Sequence, residues 1–145
     1  MNPGAPKKIS VLIADDTEQD RQLLREAIAG HGTRFEIVGE VTDGAQLIEY
    51  LSGKGKYADR ARHPFPALLF LDLRMPGMDG FAVLEWLQRH RVPRLKIAVL
   101  TDSSGIAYRA EALSQGADYF FAKHSGMAEL AEILGQLERE TAGGE

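Results

Sequence analysis

Hydrophobic residues along this 145-residue chain form short runs separated by longer periodic stretches. Three runs are apolar almost throughout, which is typical of strands that a parallel sheet buries on both faces. A fourth run alternates between apolar and polar residues, as an edge strand does, and a fifth is short and aromatic. These patterns predict strands at residues 9–14, 35–41 (the edge strand), 67–71, 97–100 and 119–122.

Between these runs, apolar residues recur at the spacing of one helical face. Gly30, Gly32 and Gly116 stand where such helices should end. The five predicted helices carry Leu23, Leu24, Ala27 and Ile28; Leu47, Ile48 and Leu51; Phe81, Leu84 and Leu87; Ile106, Ala110, Leu113 and Ala117; and Met127, Leu130, Leu134 and Leu137.

Strand and helix alternate five times, which predicts an α/β fold with a parallel sheet and helices on both faces. Right-handed crossovers leave few ways to wind five such units, and one is the flavodoxin-like, doubly wound order 2-1-3-4-5. We expect a single domain over residues 1–145, with a core of about 7–138 and flexible termini. The long connection at 52–66 is interpreted as a solvated surface loop, although loops of this length are often functional.

Composition then narrows the classes of function. The net charge is −4 with acids and bases scattered along the chain, which argues against a nucleic-acid binder. There is no cysteine, so disulfides and thiolate metal sites are excluded. The N-terminal residues lack the apolar stretch of a signal peptide, and the run at 67–71 is too short to cross a bilayer. We therefore expect a cytoplasmic protein without membrane contact.

Polar residues follow the predicted strands at their carboxyl ends. Asp15 and Asp16 follow the first strand, Asp72 the third, Thr101 the fourth and Lys123 the fifth. In an open α/β sheet, ligands bind beyond these ends, where the strand order reverses. The sequence therefore predicts that three carboxylates converge there, with a hydroxyl and an ammonium group beside them.

Three converging carboxylates repel one another and usually need a cation. Ligands that are all oxygens suit Mg²⁺, and no His or Cys is placed to favour zinc or copper. A carboxylate can also act as a nucleophile and become an aspartyl phosphate, a reaction that needs charge neutralisation and positioning. The hypothesis is that Asp72 is the nucleophile, with Asp15 and Asp16 holding the metal. Lys123 would supply the cation and Thr101 a hydrogen-bond donor.

Ordinary structural roles compete with this hypothesis. Asp16 or Thr17 could cap the first helix, and Asp72 could be a turn residue. Asp79 is interpreted as a helix cap, Phe81 and Trp86 as packing residues, and His31, His63 and His90 as exposed residues without a role.

Several stretches resemble the receiver domain of two-component response regulators. They are residues 11–16, 71–80, 99–101 and 116–118, the last leading to Lys123, and the resemblance covers about residues 7–137. It implies that a histidine kinase or phosphotransfer protein phosphorylates Asp72, with Mg²⁺ as cofactor, and that the protein catalyses only its own phosphorylation and dephosphorylation. It also implies that the Arg74 carbonyl completes the metal site, and that Phe120 is a switch aromatic that turns inward when Thr101 binds the phosphoryl group.

The resemblance also sets expectations for partners. The surface of the fourth helix, fifth strand and fifth helix would contact an unknown downstream protein, and a homodimer is a further option. No output domain follows within the 145 residues, so we expect a single-domain regulator. The loop at 52–66 is similar to that of single-domain regulators paired with phytochrome-type or other sensor kinases.

Two positions depart from the family pattern, and we expect modulatory roles for both. His124 stands where a proline usually follows the lysine, so we expect a trans bond between Lys123 and His124, since a cis bond is costly without proline. Asp102 follows Thr101 where a small residue is common. Its carboxylate could face the phosphoryl group and shorten its lifetime, or point to solvent.

Other functions remain open at this point. A docking scaffold of the same fold could act without phosphorylation. A flavodoxin-like electron carrier would need a phosphate loop, which the acids around Asp15 would repel. A phosphatase with an aspartyl nucleophile would carry an Asp-x-Asp pattern after the first strand, and that pattern is absent.

Overall fold

The computed structural model describes residues 8–31, 34–90, 92, 94–102, 106–123 and 127–143. Within these ranges, no helix is both long enough and apolar enough to span a membrane. The strands are β1 (Ile9–Ala14), β2 (Phe35–Val41), β3 (Leu68–Leu71), β4 (Lys96–Thr101) and β5 (Tyr119–Ala122). The α-helices are α1 (Glu18–His31), α2 (Gly44–Ser52), α3 (Gly80–Arg89), α4 (Ile106–Ser114) and α5 (Met127–Gly143), and a short 3₁₀ helix lies at Gly55–Tyr57.

The five strands form one parallel sheet in the order β2-β1-β3-β4-β5. This order confirms the predicted flavodoxin-like fold and places β2 at an edge. Ala14 pairs with Leu71, so β1 and β3 end at the same level. The residues that follow these two strands are therefore brought side by side.

Two apolar layers cover the two faces of the sheet, because successive strand residues point to opposite sides. Val11 and Ile13 pack with α1 and α5, whose apolar residues include Leu134. Leu12 packs on the opposite face with α2, α3 and α4, whose apolar residues include Leu47. Helices thus lie on both faces, as the alternating pattern predicted.

One helix end differs from the prediction. The predicted apolar face of α4 includes Ala117, but the helix ends at Ser114. Gly116 has a φ of 106°, and the N–H of Ala117 donates to the carbonyl of Ala112 at 3.0 Å, which closes the helix end.

The connection at 52–66 is exposed along much of its length, as expected, but it is also anchored to α2. Tyr57 is buried, and its ring centroid lies 4.9 Å from that of Tyr50. The guanidinium of Arg60 donates to the carbonyls of Leu51 at 2.9 Å and His63 at 3.0 Å. The loop is packed onto α2 because an arginine and a tyrosine turn inward.

Of the three histidines that were expected to be exposed, His31 and His63 are partly buried. His31 Nε2 lies 2.9 Å from Glu138 Oε1, which joins the end of α1 to α5. The ring of His63 packs edge-on against Tyr57. His90 is exposed, as expected, and stacks on Trp86.

Candidate functional site

The structure brings three predicted carboxylates together at the carboxyl ends of β1 and β3. Asp15 and Asp16 follow β1 directly and Asp72 follows β3. Each offers one oxygen, and these oxygens all lie within 4.8 Å of one another. Asp15 and Asp72 are only 7% and 3% exposed, whereas Asp16 faces solvent. The cluster is therefore open to solvent on one side.

Backbone hydrogen bonds hold two of these carboxylates in place. The N–H of Asp15 donates to the carbonyl of Val41 at 3.0 Å, and the N–H of Asp72 donates to that of Ala14 at 3.0 Å. Asp15 Oδ1 accepts from the N–H of Thr17 at 2.9 Å, and Asp72 Oδ1 accepts from the N–H of Arg74 at 3.1 Å. The hydrogen-bonding pattern of the sheet thus continues one residue beyond β1 and β3, and the turns that follow orient the side chains of Asp15 and Asp72.

The ammonium group of Lys123 enters the same cluster from the end of β5. Its Nζ lies 2.8 Å from Asp15 Oδ2, 2.9 Å from Asp20 Oδ2 and 3.1 Å from Asp72 Oδ2, and its side chain is 6% exposed. Its backbone N–H donates to the carbonyl of Thr101 at 2.8 Å, which fixes the start of the side chain beside β4. Lys123 is thereby held against the buried side of the cluster.

These contacts shift two ionisation equilibria. Burial opposes the charged form of Lys123, but hydrogen bonds to Asp15 and Asp20 and the charge of Asp72 outweigh it, and the pKa of Lys123 is raised. Burial raises the pKa of the Asp72 carboxyl. The Arg74 N–H and Lys123 oppose that shift, and the charge of Asp15 adds to it. A further cation at the cluster would favour the ionised form of Asp72.

The donor set fits a hard divalent cation. Asp15, Asp16 and Asp72 provide only oxygen atoms, which magnesium and calcium prefer. Beside them, a cleft of about 470 Å³ gives access from solvent. The cleft is lined by Asp16, Leu73, Arg74, Met75, Pro76, Asp79, Phe81 and Tyr108.

The loop between Asp72 and α3 is shaped by a cap and a glycine. Asp79 caps α3 as predicted, since its Oδ1 accepts from the N–H of Ala82 at 2.9 Å. A Cβ at Gly80 would lie 2.6 Å from the carbonyl oxygen of Asp72 and 2.7 Å from the Cα of Leu73. Glycine is therefore required for α3 to begin this close to the acidic cluster.

The other residues singled out in the sequence occupy varied positions. Thr101 is fully buried at the end of β4. Phe120 is half-buried on β5 and packs against the apolar layer between the sheet and helices α2, α3 and α4. Arg74 lines the cleft and contacts Asp72 through its N–H, and the metal role of its carbonyl stays a prediction. Asp102 is exposed, in agreement with the alternative that its carboxylate points to solvent. His124, and with it the Lys123–His124 bond, lies outside the described residues.

Sequence reasoning missed Asp20, the third carboxylate on Lys123. It lies in the first turn of α1, and its side chain is 13% exposed. One signal was available, because Asp20 follows Asp16 by four residues and a first helical turn places it near the preceding loop. An acid in a first turn is more commonly read as a partner of the helix dipole.

A parallel sheet in this order, with carboxylates at its switch point and a lysine facing them, defines a receiver-type α/β domain. The family model of the response regulator receiver domain matches residues 11–135. The chain belongs to this family, which comprises the receiver domains of two-component systems.

Individual relatives agree with this assignment. The chain is 31% identical over 135 residues to the probable transcriptional regulatory protein NarL of Mycobacterium tuberculosis, covering 92% of this chain but 56% of that protein. It is similar to a response regulator in red light signaling of R. palustris, with a TM-score of 0.81, 31% identity and coverage of 93% and 92% of the two chains. It is also similar to the phosphorylated cyanobacterial phytochrome response regulator RcpA, with a TM-score of 0.78, 26% identity and coverage of 91% and 92%.

Proposed function

We propose that this protein is a phospho-accepting signalling switch that carries the phosphoryl group on Asp72. The observation that supports this best is the convergence of Asp15, Asp16 and Asp72 within 4.8 Å, with Lys123 Nζ 3.1 Å from Asp72. A nucleophile, oxygen ligands for a metal and a fixed cation are the parts that phosphoryl transfer needs.

In the proposed reaction, an oxygen of the Asp72 carboxylate forms a bond to phosphorus. The bond between phosphorus and an imidazole nitrogen of the donor breaks, and its electron pair stays on that nitrogen. Lys123 and the Thr101 hydroxyl would contact oxygens of the transferred group. Asp15, Asp16 and Asp72 would hold Mg²⁺, with the Arg74 carbonyl as a further ligand. When bound, Mg²⁺ would neutralise charge on the phosphoryl oxygens.

The signal would be carried by β4 and β5. Thr101 lies at the end of β4 and pairs with Ala122 of β5, two residues from Phe120. A hydrogen bond from the Thr101 hydroxyl to the phosphoryl group would favour an inward position of Phe120. This change would alter the surface of α4, β5 and α5 that a downstream protein meets.

The proposed phosphodonor is a sensor histidine kinase or a phosphotransfer protein. Two structurally similar regulators belong by their names to red light and phytochrome signalling, which supports a kinase of phytochrome type. The chain spans only 56% of the NarL protein's length, so the transcriptional regulation that this relative's name states is not proposed for it.

Intact-mass measurement after incubation with acetyl phosphate and Mg²⁺ tests the proposal. The wild type should gain the mass of one phosphoryl group, and Asp72→Asn should gain none, because a neutral amide is no nucleophile for phosphorus. Asp59→Asn makes the same change in the packed loop, away from the cluster, and should be labelled normally. Labelling of Asp72→Asn would refute the assignment of the acceptor, and an unlabelled wild type would favour the docking scaffold.

A further inference from the structure

Lys123 has one carboxylate partner that the proposed reaction does not use. An ammonium group has three N–H donors, and the three carboxylates around Nζ match that number. Asp15 and Asp72 are two of them, and the third is Asp20 at 2.9 Å. Asp20 is outside the group of carboxylates that could hold a metal.

Metal binding and phosphorylation would change the three carboxylate partners of Lys123 to different extents. Asp15 and Asp72 would have to share their oxygens with a metal ion, and Asp72 would lose its negative carboxylate when it becomes an acyl phosphate. Neither event changes Asp20, because it is neither a metal ligand nor the acceptor. Asp20 is thus the partner that can hold Lys123 while the other two are engaged.

A purely structural role for Asp20 can be weighed against its neighbour Glu18. Both are acids in the first turn of α1 and can interact favourably with the helix dipole. Glu18 is 65% exposed and pairs with Arg21 and Arg25 at the surface. Asp20 is 13% exposed and contacts the buried Lys123. Burying a carboxylate is unfavourable unless it is paired, so the contact with Lys123 stabilises the buried position of Asp20.

We propose that Asp20 is a positioning residue that anchors the Lys123 ammonium group at the acidic cluster, so that this group stays in place when metal and phosphoryl group engage Asp15 and Asp72. This inference deepens the proposed function and rests on it for its kinetic consequence. The anchoring itself is a property of the protein before any phosphoryl transfer.

The first experiment observes Lys123 directly. In the full chain with saturating Mg²⁺, NMR should detect the Nζ protons of Lys123 in slow exchange with water, because all three are hydrogen-bonded. Asp20→Ala should remove this signal, and Asp20→Asn should weaken it, since its oxygen still accepts but carries no charge. Glu18→Ala removes one negative charge from the same helical turn without touching Lys123 and should leave the signal unchanged.

The second experiment measures labelling by acetyl phosphate. Asp20→Ala should lower the maximal rate of labelling about tenfold or more, because the loss of a hydrogen bond to a charged group has an effect of this size. The donor concentration that gives half the maximal rate should change less. Asp20→Asn should fall between it and the wild type, and Glu18→Ala should stay within about twofold of the wild type.

The two experiments separate failure of this inference from failure of the proposed function. A wild type that is never labelled refutes the phospho-accepting function, and the NMR signal still decides whether Asp20 anchors Lys123. A Lys123 signal that survives in Asp20→Ala, or a rate within about twofold of the wild type, overturns the inference. If Asp20→Ala fails to fold, the isosteric Asp20→Asn decides by the same two readouts.

Discussion

At the scale of single residues, the proposed chemistry requires Asp72 to be ionised although it is buried. Burial raises the pKa of Asp72, and within the described part of the chain Lys123 and the N–H of Arg74 oppose that shift. A nucleophilic carboxylate must be charged, so the exposed Asp16 gains importance because it makes the cluster attractive to a cation. Metal binding and reactivity of Asp72 should therefore be linked.

Asp16→Ala tests this link through stability. Mg²⁺ that binds the folded protein at ten times its dissociation constant should raise the free energy of unfolding by about 1.4 kcal/mol. Asp16→Ala should lose most of this gain, measured by thermal unfolding with and without Mg²⁺. Glu26→Ala removes an exposed acid farther along α1 and should keep the full gain. Equal stabilisation of Asp16→Ala by Mg²⁺ would contradict the metal site.

Asp102 should have a small effect on the phosphorylated state because it is exposed. Two unit charges about 6 Å apart in water interact by about 0.7 kcal/mol, and a phosphoryl group carries up to about two negative charges. Asp102→Ala should therefore lengthen the lifetime of phosphorylated Asp72 by about threefold to tenfold, measured by mass after donor removal. Glu129→Ala, an exposed acid on α5, serves as the control for net charge. An unchanged or faster decay of Asp102→Ala would refute the modulatory role.

Single residues also show where sequence reasoning stops. The sequence placed Asp15, Asp16, Asp72 and Lys123 at strand ends, and topology brought them together. It could not show that Lys123 is shared by three carboxylates, since side-chain directions depend on packing. Asp20 was missed for that reason.

At the scale of secondary-structure elements, α3 begins unusually close to the strand that carries Asp72. A Cβ at position 80 would meet backbone atoms of Asp72 and Leu73, which cannot move aside as a flexible side chain can. The loop between β3 and α3 is therefore built around a residue without a side chain.

Gly80→Ala should force this loop apart. Overpacking of this kind typically costs about 1–3 kcal/mol, so the free energy of unfolding in urea should fall by about that amount. Phosphorylation should slow as well, because Asp72 would shift. Gly30→Ala is the matched control, since nothing lies within 4 Å of a Cβ at this position in the last turn of α1, and it should keep the stability of the wild type. A Gly80→Ala variant as stable as the wild type would contradict this account of the loop.

The strands were easier to predict than the connections between elements. Apolar runs gave bounds for β1, β2 and β5 that agree with the structure, because burial on two faces restricts the residue types allowed. The inward contacts of Tyr57 and Arg60 in the loop before β3 were missed, because its polar composition indicates only an exposed loop. These contacts are made with the neighbouring helix α2 and within the loop, and they leave no periodic pattern.

At the scale of the whole molecule, the sheet connects the acidic cluster to a surface on its far edge. The order β2-β1-β3-β4-β5 puts β4 between the strand that precedes Asp72 and the edge strand β5. This order followed from alternation of elements and crossover handedness, so the sequence could predict it. The proposed inward turn of Phe120 came from the family resemblance alone, because it would depend on a second packing of the same chain.

Thr101→Ala should separate phosphorylation from the proposed switch. Asp72 should still be labelled, because its nucleophilic oxygen and the metal ligands are unchanged. The missing hydroxyl would remove a hydrogen bond to a charged group, of about 1.5–3 kcal/mol, which is enough to bias two packings about tenfold to a hundredfold. In ¹H–¹⁵N spectra, the labelled wild type should show shifts around Phe120 that labelled Thr101→Ala lacks. Thr101→Ser keeps the hydroxyl and should regain them, whereas full shifts around Phe120 in labelled Thr101→Ala would show that another contact carries the signal.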